Sequence, residues 1–400
     1  VDFSLSTTVG GIELTQSYGI SDKNGIVWTF VNSGVVSTSI RVNAIVADNG
    51  VGTQSDKLVV TTGIPDQDSF SLSAEVYNPE AWEYDNEVVK ISINVADQFN
   101  NPVPDGTAVA FTTEGGRIVS NCETVSGNCV VDWVSQLPRP ENARVTILAT
   151  AIGEESYNDV NGSGRFDMYD TDGDDIPDTL EPFGDLPEAW RDDDEDGCRD
   201  EGSASTCTDG NGTVFSEIFF DYSGSADLSP NQTFDSPSLS DPNGAPMGDG
   251  IYNGILCNDE SCQGGNKSLH VRDSIVMVMA SSHSEIEFIE PELTDEGCLD
   301  LSGKGTHKIV FTLRGDNGQT LPFETRVTSQ LVWWGAVDKV EPYLHGAWPN
   351  TNSEKPIKFT SFQSGLSNPN DEVNQAVFHV TTVTPKEVIT SHEICVVDYD

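Results

Sequence analysis

The chain has 400 residues, too many for one ordinary core, so two to four domains are expected. Its 65 acidic residues against 20 basic ones give a net charge of −45, a field that repels nucleic acid and anionic membrane surfaces; neither is expected as a partner. A hydrophobic fraction of 36% with 7 tryptophans excludes the disorder that often accompanies such charge.

Along the chain, short runs of alternating β-branched residues lie between Asn, Gly and Pro turns. Lys90–Val95 (KISINV) and Arg144–Leu148 (RVTIL) are two such runs. The pattern predicts antiparallel sandwiches, and no amphipathic helix of useful length is predicted. Internal echoes organise the runs. Asn24–Ala47 is echoed by Gly127–Thr150, and Ser55–Thr61 (SDKLVVT) by Arg272–Val278 (RDSIVMV). In the first copy the two segments are nearly contiguous; in the second a long acidic stretch separates them. Lys90–Val109 aligns without gaps to Lys308–Val327, sharing Pro104/Pro322 and Thr107/Thr325.

Three units follow. Residues 1–63 form the C-terminal part of one sandwich, and residues 64–281 a second sandwich whose last two strands flank an insertion at about 153–268. Residues 282–400 form a third. The first unit needs strands from upstream sequence or a neighbouring chain. The chain opens on Val1 with neither an initiator Met nor a signal peptide, and is expected to be a piece of something longer. It has no apolar run of the roughly 18 residues that a spanning helix needs, so direct membrane insertion is not expected.

The eight cysteines form three couples close in sequence: Cys122–Cys129, Cys198–Cys207 and Cys257–Cys262. Cys298 and Cys395 are left for each other. Short loops with no thiol left over suit disulfides in an oxidising place, extracellular or on a bacterial cell surface.

The insertion carries 28 acidic residues against 4 basic ones between Gly153 and Ser268. A calcium loop of the EF-hand type takes oxygens from alternate positions, a backbone carbonyl at position seven, and a turn glycine at six. Residues 159–170 set Asp159, Asn161, Ser163, Arg165 (by its carbonyl), Asp167 and Asp170 at ligand positions, with Gly164 at the turn. Residues 170–181 offer Asp170, Asp172, Asp174, Asp178 and Glu181, although Asp175 replaces the turn glycine. Residues 192–200 offer Asp192, Asp194, Asp196 and Asp200, and Asp221 with Asp227 repeat the rhythm. Several Ca2+ ions are the expected cofactors, structural rather than signalling because flanking helices are missing. The first two loops share Asp170, so a carboxylate bridging two ions is expected. The arrangement resembles thrombospondin type-3 and dockerin-like calcium repeats.

Gln98–Ile118 reads QFNNPVPDGTAVAFTTEGGRI. It resembles the heart of bacterial immunoglobulin-like domains of the invasin/intimin type, with their polar turn, PVPxGTxVxF strand and Gly-Gly corner. Residues 64–152 carry the likeness well, residues 1–63 fit the C-terminal half of such a domain, and residues 282–400 fit it loosely. The expected fold class is therefore all-β: tandem immunoglobulin-like β-sandwiches with a long acidic, calcium-binding, loop-rich insertion. The resemblance implies a rod segment of a surface adhesin and names no receptor.

No enzyme is expected. His270, His283, His307, His345, His379 and His392 are scattered without HExxH, GxSxG is absent, and Gly303–Thr306 lacks the phosphate-loop frame. Trp333, Trp334, Tyr343, His345 and Trp348 could form a sugar platform, though core packing is the commoner use of tryptophan. The expected function is a secreted or surface-exposed adhesion or structural protein. Its partners would be neighbouring Ig-like domains or subunits and a protein or glycan receptor. The alternative is a subunit of an extracellular filament or surface layer assembled by strand donation.

Overall fold

The computed structural model describes residues 1–34, 38–60, 63–174, 176–201, 204–205, 217–220, 248, 250–257, 267–303, 305–333, 341–364 and 374–399. Among these the regular structure is strand and 3-10 turn, without an α-helix. The molecule is all-β, with immunoglobulin-like sandwiches in tandem.

The first strands are β1 (Asp2–Leu5), β2 (Glu13–Leu14), β3 (Val31–Asn32), β4 (Thr38–Ile40), β5 (Val42–Ile45), β6 (Gly52–Gln54) and β7 (Leu58–Val60). They pair as β1-β5-β6, β2-β3 and β4-β7. Among the described residues here only Ile12 and Ile40 are buried, while Ile20, Trp28 and Phe30, between β2 and β3, are 90%, 63% and 61% exposed.

A complete sandwich follows, from β8 (Phe70–Ala74), β9 (Val88–Val95), β10 (Ala108–Thr113), β11 (Arg117–Ile118), β12 (Asn121–Glu123), β13 (Asn128–Val134) and β14 (Arg144–Gly153). Six two-residue strands lie in the acidic stretch: β15 (Met168–Tyr169), β16 (Thr179–Leu180), β17 (Ala189–Trp190), β18 (Asp200–Glu201), β19 (Ala204–Ser205) and β20 (Phe219–Phe220). The closing strand is β21 (Leu269–Val278). The two sheets run β11-β13-β9-β8 and β12-β10-β14-β21. In β9 the alternation works as a strand should: Val89, Ile91, Ile93 and Val95 are buried while Val88 and Lys90 face solvent. Trp133 fills the centre, fully buried, and donates its indole N–H to the Gly115 carbonyl at 3.0 Å.

The last sandwich comprises β22 (Ser284–Glu290), β23 (Leu299–Asp300), β24 (Thr306–Gly315), β25 (Arg326–Trp333), β26 (Tyr343–Ala347), β27 (Ile357–Ser364), β28 (Asn374–Val383) and β29 (Ile389–Asp398). Its sheets run β22-β24-β27 and β23-β29-β28-β25-β26. Both sandwiches share one connectivity: β9 and β24 sit in one sheet, and the chain crosses to β10 and β25 in the other. Disulfides join Cys122 to Cys129 and Cys298 to Cys395. Trp333 and Trp348 belong to the last core, Tyr343 is exposed, and Trp334 lies outside the described residues.

The two complete sandwiches meet through a saturated polar joint. Glu80, 5% exposed, accepts hydrogen bonds from the hydroxyls of Ser282 (2.7 Å) and Thr384 (2.6 Å) and from the Lys386 N–H (2.9 Å). Asn78 donates to the carbonyls of Leu321 (2.7 Å) and Pro349 (3.0 Å) and accepts from the Thr351 N–H (3.1 Å). Every group named here has a partner, so the joint escapes the cost of stranding a buried polar atom.

β14 and β21 pair from Arg144↔Val278 to Gly153↔Leu269, so the acidic stretch leaves and re-enters at one point. A side chain at Gly153 would place its Cβ 2.3 Å from the Pro65 carbonyl oxygen and 2.7 Å from Val271 Cγ1. Neither backbone nor a buried β-branched side chain can yield. Gly153→Ala should therefore destabilise the chain by roughly 1–3 kcal/mol in urea unfolding; an unchanged midpoint would contradict this close approach.

Candidate metal centre

The acidic stretch has its own small core. Tyr157, Phe166, Tyr252 and Cys257 are buried together, with Phe183 and Leu256 packed against them, and Phe166 stacks on Tyr252 with centroids 4.3 Å apart. Isolated bridges Tyr157↔Phe183 and Phe166↔Cys257 close the cluster. The stretch also folds back over the sheet carrying β14. The Arg272 guanidinium lies 5.2 Å from the Trp190 ring centroid and donates to the Pro187 carbonyl at 2.7 Å, and Phe220 packs on His270. Outward-facing Thr146, Leu148 and Thr150 of β14 are consequently buried. That cover holds the acidic loops in place.

In the first loop Asp159 organises the turn, accepting the N–H of Ser163 at 2.9 Å and of Gly164 at 2.8 Å. Gly164 has φ 74°, a conformation that favours glycine. Asn161 accepts from the Ser163 N–H (2.8 Å) and donates to Asp167 (2.7 Å), and the Arg165 carbonyl accepts from the Ser163 hydroxyl (3.0 Å). The carboxylate laid over this loop is Glu181, which is 1% exposed. It accepts from the N–H groups of Val160 (2.7 Å), Asn161 (3.4 Å) and Asp167 (3.3 Å). Spacing had assigned it to the end of the second loop.

In that second loop Asp170, Asp172 and Asp174 each offer an oxygen within 4.8 Å of the others. Asp178 instead accepts from the Thr171 and Thr179 hydroxyls, each at 2.9 Å, and its pKa is held down chiefly by Thr171. Asp175 lies outside the described residues.

The third loop turns at Gly197 (φ 80°), whose N–H donates to Asp192 at 2.9 Å, while Asp196 accepts from the Cys198 N–H. Asp192 and Asp194 come together with Glu217, all three offering oxygens within 4.8 Å. Glu217 also accepts from the Asp193 N–H at 2.7 Å and is 3% exposed. No spacing in the sequence points to Glu217. Pairing of β17 with β20, Ala189↔Phe220 and Trp190↔Phe219, carries it to the loop. The Asp200 side chain, Asp221, Asp227, Cys207 and Cys262 lie outside the described residues; Cys198 and Cys257 are disulfide-bonded.

Burial pushes the carboxyls of Asp192 to about 6 and Glu114 to about 7, with Asp194 and Asp193 respectively adding like charge. Where the acidic stretch leaves β14, burial pushes Glu154 to about 7 and Asp66 to about 6. Arg144 forks onto Glu195 and donates to the Asn352 carbonyl at 2.9 Å, tying the third loop to the last sandwich. All-oxygen groups of this kind suit a hard divalent cation such as calcium.

No family model matches the chain, and no curated protein does. Solved structures of low identity do. The D0–D1 domain of intimin is 16% identical, covering 37% of this chain and 71% of that one at a TM-score of 0.18. The Yersinia pseudotuberculosis adhesin InvE is 9% identical over 84% of this chain and 60% of that one, TM-score 0.22. The Escherichia coli adhesin FdeC is 11% identical over 100% of this chain and 86% of that one, TM-score 0.27.

For Asp66, Glu114, Glu154 and Asp192 the folded-state pKa lies above the unfolded one, so the folded chain binds more protons between about pH 4 and pH 7. Their contribution is most favourable below that window and is lost as pH rises through it. In chelator the melting temperature should fall by roughly 5 °C between pH 5 and pH 7.5, followed by circular dichroism. A rise over that interval would contradict the assignment.

Proposed function

We propose that this chain is a structural segment of an extracellular, surface-exposed adhesion protein. In this reading its Ig-like sandwiches form a stiff rod, and calcium orders the acidic insertion against one of them. The observation that carries the reading is the pair of carboxylate groups, Asp170/Asp172/Asp174 and Asp192/Asp194/Glu217, held on a module packed over β14. The polar joint at Asn78 and Glu80 supports the rod, since it fixes one sandwich on the next. Oxidised cysteines support an extracellular setting. Extracellular calcium modules work at about 10⁻⁴–10⁻³ M, where an ion serves structure rather than signalling.

A second reading, assembly by strand donation, is favoured by the exposed apolar side chains of Ile20, Trp28 and Phe30.

In about 1 mM calcium the full chain should bind several ions and melt roughly 10 °C higher than in chelator. Asp172→Asn and Asp192→Asn should each reduce the ion count. Sedimentation in the same buffers separates the two readings: a monomer fits the rod segment, and polymers growing with concentration fit strand donation. No bound calcium would remove the metal from the account.

A further inference from the structure

We propose that the corner where the insertion leaves the second sandwich is itself a calcium-type cation site, formed around Glu154 and Asp66 and separate from the acidic loops. Glu154 is fully buried and Asp66 is 2% exposed. The backbone brings these two together. Asp66 and Glu154 form a parallel bridge, the Glu154 N–H donates to the Pro65 carbonyl, and the Asp66 N–H donates to the Ala96 carbonyl, next to Asp97. Each carboxylate thus sits in a neighbour's field, and Glu154 feels both Asp66 and Asp97.

The donors present are those an ionised carboxylate needs. Glu154 Oε2 accepts from the Ile255 N–H (3.0 Å) and the Tyr252 hydroxyl (3.5 Å). Asp66 accepts from the Ser156 hydroxyl (2.8 Å) and the Asp68 N–H (3.1 Å). What is missing is positive charge. Among the described residues neither Asp66 nor Glu154 has an ion-pair partner, and the buried guanidinium of Arg272 serves Glu155 instead.

Two buried atoms here have no hydrogen-bond partner: Glu154 Oε1 and the hydroxyl of Tyr157, on which Asp159 and then Glu154 act most strongly among the charges. A buried carboxylate oxygen left so is costly unless a proton or a cation takes it. Hard oxygen donors select calcium over softer metals. An open recess lies beside this corner, and its lining includes Asp68 and Ser156, both hydrogen-bonded to Asp66.

The test compares the full chain with Glu154→Gln, which keeps the shape and removes the charge, by equilibrium dialysis against calcium with metal analysis. The variant should bind one ion fewer per chain. It should melt no lower than the parent in chelator, where the parent carries uncompensated charge, and gain less from calcium. An unchanged ion count, with several ions still bound, would overturn the corner site alone and leave the loops as the calcium module. A parent chain that binds no calcium would overturn both. If Glu154→Gln does not fold, Asp66→Asn is read in the same way.

Discussion

The structure depends on the antiparallel ladder between β14 and β21. Without β21 the second sandwich lacks a strand and exposes the buried side chains of Val145, Ile147 and Ala149, which Val271 and Met277 help to cover. Because the ladder runs to Gly153↔Leu269, the excursion between the strands begins and ends at adjacent residues. Loop-closure entropy grows only slowly with length, so a long excursion costs little more than a short one once its ends are fixed. The excursion recovers part of that cost by lying over the outer face of β14 and making its own aromatic core.

Charge is the second constraint, and it acts where the first leaves room. A chain with net charge −45 repels itself, and the repulsion is greatest where acidic side chains are buried close together. The few buried arginines are placed to answer it. Arg144 holds Glu195, Arg191 holds Asp193, and Arg272 lies by Glu155. Among the described residues, no ion pair joins an arginine to Glu154 or Asp66. Arg144 also reaches Asn352, so whatever fixes the third loop bears on the joint between the sandwiches.

Much of the sandwich architecture was legible in the sequence because each strand buries one face, and that writes a period of two. β9 shows it, and the gapless match of Lys90–Val109 to Lys308–Val327 is realised as β9–β10 and β24–β25 with one connectivity. β14 was harder: both its faces are buried, and the cover on its outer face comes from distant residues such as Arg272 and Trp190. The turns of the acidic loops were legible because Gly164 and Gly197 adopt positive φ beside aspartates that accept their N–H groups. The place of Glu181 over the first loop, and Glu217 altogether, were not legible, for one reason. Spacing reports only neighbours along the chain, whereas Glu181 returns through the β15–β16 hairpin and Glu217 through the β17–β20 pair. Glu154 and Asp66 were invisible too, since no local pattern says that residues this far apart in sequence bridge in the interior.

The central claim is that the acidic insertion is an ordered calcium module built on the second sandwich. The most direct measurement is a calcium anomalous difference map from crystals of the full chain grown in calcium. The account predicts peaks at Asp170/Asp172/Asp174 and at Asp192/Asp194/Glu217, with the insertion packed over β14. Maps without peaks at either group, the insertion lifted from the sheet, would contradict it.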